Sequence, residues 1–175
     1  MTTGDPASSG RPIARLRDGT PVGAWLLKAN PEVWDVLGAL TRHEQLDRWR
    51  LAWSYRVALV DVGHPCVLWV TGPRSAAHVP GIWAVGHVTS CPEAEPDDPS
   101  DPGWGNGVQP TDVRPYVGVN LQVLASPLAR VEIAADPRLA QTEVLRRPRM
   151  GSPLVMTPDE WAVVEFWALD ERALR

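Results

Sequence analysis

Residues 66–70 read Cys-Val-Leu-Trp-Val, five apolar residues in a row. A Gly63-His64-Pro65 turn precedes them and a polar loop from Thr71 follows. A run this short without alternation fits a strand buried on both faces, in the middle of a covered sheet. Residues 25–28 form a first core strand that ends in Lys28, the chain's only lysine. Residues 81–88 form another, and its small residues Gly81, Ala84 and Gly86 mark bends or close backbone approach, as in a barrel. Short apolar strands between Gly/Pro turns, with helices at intervals, predict a small mixed barrel surrounded by helices.

The connecting segments are less regular. Pro31 opens a helix with Asn30 as its N-cap. Leu40, Leu46, Trp49 and Trp53 are spaced as on one helical face, so residues 40–53 are read as helical. Residues 57–62 are a short strand or the end of that helix. Residues 111–119 alternate weakly and read as a strand; residues 122–133 hold a short helix or strand, and 136–145 a short helix. Thr157-Pro158-Asp159-Glu160 is a capping box. It starts a final amphipathic helix carrying Trp161, Val164, Phe166 and Trp167. Residues 1–20 are expected to form a flexible tail and residues 21–175 one domain. No apolar run is long enough to cross a bilayer, and no apolar leader core opens the chain, so a cytoplasmic protein is expected.

The formal net charge of −4 is unevenly placed. Glu93, Glu95, Asp97, Asp98 and Asp101 fall in one stretch without a basic residue; setting them aside leaves 17 basic against 16 acidic residues. A near-neutral body is not the footprint of a strong backbone binder of nucleic acid. The long Pro-, Gly- and Asp-rich stretch 91–110 reads as a loop that is either functional or disordered, with Trp104 as its one aromatic.

Catalytic signatures are missing. His43, His64, His78 and His87 have no metal-ligand spacing with Cys66 or Cys91. There is no phosphate-cradling glycine loop and no nucleophile elbow. Ser54, Ser75, Ser126 and Ser152 make no triad with the histidines. No catalytic residue, metal or cofactor is therefore expected.

Several segments together carry a resemblance: Trp-Leu-Leu-Lys-Ala-Asn-Pro (25–31), Trp34-Asp35, Val-Leu-Trp-Val-Thr-Gly (67–72), Pro-Gly-Ile-Trp-Ala-Val-Gly (80–86), Asp-Val-Arg (112–114) and Met-Thr-Pro-Asp-Glu-Trp (156–161). In this order they resemble the EVE domain, a PUA-like fold related to the YTH domain, over about residues 24–168. The resemblance implies an α+β fold: a curved mixed barrel of five to six strands flanked by helices. It also implies a pocket for a flipped, modified base, such as methylated or hydroxymethylated cytosine, in DNA or RNA. An unstacked base needs aromatic faces to stack on and polar groups for its edge.

Carried over residue by residue, the resemblance places Lys28, Ala29 and Asn30 at the pocket turn, Ala29 standing where many members have serine. Trp49 and Trp104 fall where related domains put aromatic walls, and Ser152 lies in a turn that reads a base edge. Trp83 completes the expected base-binding set. Trp49 fits a wall or the core equally, Trp104 a wall or a loop anchor, and Trp34 and Trp53 the core. Arg146, Arg147 and Arg149 are either a solvated face or phosphate contacts beside the pocket. Two other functions stay open: a nucleotide-binding or enzymatic use of the same pocket, and a protein-interaction module whose acidic residues 93–101 meet a basic partner.

Overall fold

The computed structural model describes residues 13–42, 45–73, 75–108, 110 and 112–173. Among them six strands form one mixed sheet: β1 (Ala24–Ala29), β2 (Arg48–Arg50), β3 (Pro65–Val70), β4 (Gly81–Pro96), β5 (Val113–Ala129) and β6 (Leu154–Met156). Their order is β2-β5-β4-β3-β1-β6. β1 and β3 run parallel, and the other neighbours are antiparallel. The helices are α1 (Val36–Thr41), α2 (Arg130–Ala135), α3 (Glu143–Arg146) and α4 (Pro158–Ala173), with a 3-10 turn at Tyr55–Leu59. The α+β arrangement of six mixed strands with flanking helices expected from the sequence is present, as a sheet rather than the expected closed barrel. Its ladder is open between β2 and β6. One backbone hydrogen bond, from Ala52 N–H to the Ser152 carbonyl at 2.8 Å, links the segments beside these two edges.

Strand alternation divides the apolar residues between two cores. From β1, Trp25, Leu27 and Ala29 join Cys66, Leu68 and Val70 of β3, Val117 and Val119 of β5, and Val36 and Leu40 of α1. Ala24, Leu26, Val67 and Trp69 point the other way, onto Ile133 of α2, Val144 of α3, and Val164 and Ala168 of α4. This is why β1 and β3 are apolar without alternation: both of their faces are covered. At about 1.5–3 kcal/mol for each large apolar side chain removed from water, these two layers dominate the stability of the fold.

A buried ion pair fastens the far end of the sheet. Both terminal nitrogens of Arg56 reach the Glu143 carboxylate, at 2.7 and 2.8 Å, and Glu143 also accepts the Val155 N–H of β6 at 2.9 Å. At the start of β4, Gly81 has φ +153°, and a Cβ there would meet the Leu128 carbonyl. Only glycine fits that close approach.

The capping box at α4 is present: Glu160 accepts the Thr157 N–H at 2.8 Å, and Thr157 Oγ1 accepts the Glu160 N–H at 3.3 Å. Phe166, however, is exposed; Val164 and Ala168 make the buried stripe. Residues 40–53 are not one helix. α1 stops at Thr41, and Arg48-Trp49-Arg50 pairs with Gly118-Val117-Tyr116 as strand β2. Trp53 is exposed rather than in the core. The cap of α1 is Asp35, which accepts the Gly38 N–H, whereas Asn30 closes a turn by accepting the Glu32 N–H. Residues 91–96 belong to β4 rather than to a loop. β4 and β5 continue as a long antiparallel arm past bulges at Val88/Ser90 and Ser90/Glu93. Of the expected tail, residues 1–12 lie outside the described residues. Arg15 and Pro21 form a bridge around the Asp18-Gly19 turn, and Leu16 is buried.

Candidate functional site

A cavity of about 480 Å³ opens between the C-terminal end of β1, strand β2 and the connection from β4 to β5. Each of the three segments brings a half-buried tryptophan. Trp49 sits on β2 opposite Val117. Trp34 and Trp104 face each other in an isolated antiparallel bridge, secured by Asp35 N–H to the Gly103 carbonyl at 2.7 Å and Gly105 N–H to the Val33 carbonyl at 2.9 Å. The rings of Trp34 and Trp49 lie 6.2 Å apart with their planes at 88°, so they form a corner.

Each indole is pinned by its own N–H. Trp34 donates to Asp101 Oδ2 at 3.1 Å, Trp49 to the Lys28 carbonyl at 3.3 Å, and Trp104 to the Asp98 carbonyl at 2.8 Å. With the polar edges tied to protein groups, what the three side chains add to the cavity lining is ring surface rather than free N–H donors. Gly103 makes this packing possible, because a Cβ at that position would run into the Trp34 indole.

A charged network stands behind Trp104. Arg50 makes two 2.7 Å hydrogen bonds to the Asp97 carboxylate, and the Tyr116 hydroxyl donates to the same group at 2.7 Å. The Arg50 hydrogen bonds hold the Asp97 carboxyl below its usual range, against the opposing effect of burial. Burial and the adjacent carboxylate push the Tyr116 phenol up to about 12. The Arg50 guanidinium also lies 5.9 Å from the centre of the Trp104 ring. Arg48 stacks on Tyr116 at 4.6 Å and pairs with Glu95 at 2.6 Å.

The acidic residues 93–101 therefore do much of their work inside the protein. Glu95 and Asp97 neutralise the two β2 arginines, Asp98 is bonded by Ser100, and Asp101 holds Trp34 and the Gly103 N–H.

Of the residues expected from the sequence, Lys28, Ala29, Asn30, Trp49 and Trp104 line the cavity together. Lys28 is committed elsewhere: its Nζ donates to the Pro148 and Met150 carbonyls at 2.6 and 2.9 Å, and burial lowers its pKa. Ser152 is buried and does not line the cavity; its Oγ accepts the Lys28 N–H at 2.7 Å. Lys28 and Ser152 thus fix the 148–152 turn against β1. Trp83 does not line the cavity either, and its indole donates to the Val79 carbonyl at 2.8 Å. Arg146, Arg147 and Arg149 lie outside the cavity wall; Arg146 caps the Gln141 carbonyl, and Arg147 stands 3.8 Å from Glu143.

The wall also includes Trp34, which the sequence places in the core, Asp98 and Asp101 from the acidic stretch, and Asp47, Arg48, Arg50 and Tyr116, which the sequence does not mark as site residues. The Trp34-Asp35 pair was visible there, but its partner segment is nearly seventy residues away. Among the described residues no group of three or more His, Cys, Asp or Glu is placed to hold a metal ion. No described helix is long and apolar enough to cross a membrane.

No known family pattern and no curated protein matches the chain. Several solved structures do. A hypothetical protein from Leishmania major superimposes with a TM-score of 0.60 at 15% identity, covering 86% of this chain and 97% of its own. A protein from Pseudomonas putida gives 0.54 at 23% identity, covering 81% and 96%. At these identities the likeness shows a shared fold. Human THYN1, solved in complex with DNA containing 5-methylcytosine, scores 0.49 at 17% identity, covering 81% and 95%.

Proposed function

We propose that the chain binds a modified nucleobase of DNA or RNA, without catalysis, in the cavity walled by Trp34, Trp49 and Trp104. The observation that carries this reading is the convergence of three half-buried indoles, from separate segments, whose N–H groups are all bound within the protein. Rings held this way are preorganised, so a base stacking on them meets little further ordering cost. Stacking contributes on the order of 1–3 kcal/mol per base. A methyl group on the base adds roughly 0.8 kcal/mol when buried against an apolar wall.

The edge of the base is read from the β1 end. Asn30 has its Oδ1 committed to Glu32, which leaves its amide N–H groups to donate. Ala29 lets the base approach the backbone closely. Lys28 and Ser152 act as positioning residues that hold the 148–152 turn beside the cavity. Arg146, Arg147 and Arg149, outside the cavity wall, are assigned to flanking phosphates on the strength of the sequence resemblance.

The experiment is binding of short oligonucleotides, modified and unmodified, at fixed salt, to the wild-type protein and to Trp49→Ala and Trp104→Ala. Selective binding of a modified oligonucleotide, weakened at least tenfold in each variant, is the expected result. Equal binding by the variants would remove the aromatic cavity from the function. A sharply salt-sensitive interaction with a basic protein that survives both substitutions would favour the protein-interaction reading instead.

A further inference from the structure

The charges around the cavity are not balanced. Its two arginines are neutralised from outside the wall, Arg48 by Glu95 and Arg50 by Asp97. Its three lining carboxylates, Asp47, Asp98 and Asp101, have no such match: none takes part in an ion pair among the described residues. Asp98 is bonded by Ser100, and Asp101 by an indole and a backbone N–H, all neutral donors. Among the described lining residues, what remains is three carboxylates, of which Asp98 also feels Arg48, against the ammonium of Lys28, which is turned onto two carbonyls.

We infer that the cavity takes a nucleobase bearing a positive charge, such as a purine alkylated on a ring nitrogen, in preference to a neutral base of the same shape. The inference rests on the base-binding reading above and adds the charge of the ligand to it. Indole faces attract cations through their quadrupole, most strongly where water is displaced. One wall already shows this, since Arg50 sits 5.9 Å from the Trp104 ring centre. The Trp34–Trp49 corner adds two more lining rings at 88° to each other, with carboxylates among the lining residues. A cavity of about 480 Å³ is in the range used for whole small ligands. That suits a flat base with its sugar better than the lone ammonium head of a peptide side chain. The excess negative charge disfavours a phosphate inside the cavity, so the affinity gained within it comes from the base itself.

The experiment is calorimetric titration, in mildly acidic buffer, with 7-methylguanosine and with 7-methyl-7-deazaguanosine, which has the same shape and no ring charge. The cationic nucleoside is expected to bind at least about tenfold more tightly, the scale of one desolvated cation–π contact. Asp47 is exposed, so Asp47→Asn leaves the packing intact and is expected to narrow that ratio. Equal affinity for the two nucleosides, or an unchanged ratio in Asp47→Asn, would overturn the inference and leave the base-binding reading standing. So would binding of a 5-methylcytosine oligonucleotide when neither purine binds. Silence of the whole panel would overturn both. A trimethyl-lysine peptide that binds as tightly as 7-methylguanosine would show a cation cage that does not read a base, and would also overturn the inference.

Discussion

Asp97→Asn probes the network behind the Trp104 wall. The Asp97 side chain is fully buried and receives three hydrogen bonds, two from Arg50 and one from Tyr116. The amide keeps the shape and can still accept from Tyr116, but it removes the charge that Arg50 is paired with. Breaking a buried pair by removing one partner costs about 3–5 kcal/mol. The Arg50 side chain is 35% exposed and recovers part of its hydration, so the expected loss is about 2–3 kcal/mol. For a chain of this size that is a fall in Tm of roughly 4–12 °C. The sign with pH is fixed by the direction of the shift. The folded Asp97 carboxyl titrates below its ordinary value, so its contribution is fully present above about pH 4 and is lost as pH falls through the folded value. The deficit of Asp97→Asn is therefore full at neutral pH and shrinks in acid. Urea unfolding followed by circular dichroism at a series of pH values measures both. A neutral-pH change under about 0.5 kcal/mol, or a deficit that does not shrink below pH 4, would refute the reasoning.

Other consequences follow from the same contacts. Lys28→Met removes both carbonyl contacts to the 148–150 turn; about 1–2 kcal/mol of stability should be lost by urea unfolding, at one net hydrogen bond's worth each. Gly103→Ala places a methyl group against the Trp34 indole, and it should weaken oligonucleotide binding at least tenfold while far-ultraviolet circular dichroism stays unchanged. Cys66 is buried with its thiol pushed up to about 12, whereas Cys91 is exposed. A thiol reagent should therefore modify one cysteine in the native protein and both only after unfolding, as mass spectrometry would show.

What could be read in the sequence follows the locality of the interactions. β1 and β3 were legible because burial on both faces writes an unbroken apolar run. The start of α4 was legible because its capping box lies within four residues. Trp104 stood out because a polar stretch gives a tryptophan little reason to be there. The helical reading of residues 40–53 failed because β2 is only three residues long, and its one apolar member, Trp49, also fitted a helical spacing. The arm of β4 looked like a loop because acids and prolines occupy it. Glu95 in the strand and Asp97 just past its end pair with arginines on β2 that lie more than forty residues earlier. Trp34 does pack against the core, but nothing near it in sequence announces Asp101 and Gly103 as its other neighbours. Ser152 was read as an edge reader, yet its hydroxyl serves Lys28, 124 residues away.

The most direct measurement is the set of indole N–H resonances in a nitrogen-15 correlation spectrum, assigned by single Trp→Phe substitutions and followed during titration with modified and unmodified oligonucleotides. The expected result is a shift confined to Trp34, Trp49 and Trp104, induced by a modified oligonucleotide and not by its unmodified counterpart. Perturbation centred on Trp83 or on the α4 tryptophans, with those three unmoved, would contradict the account.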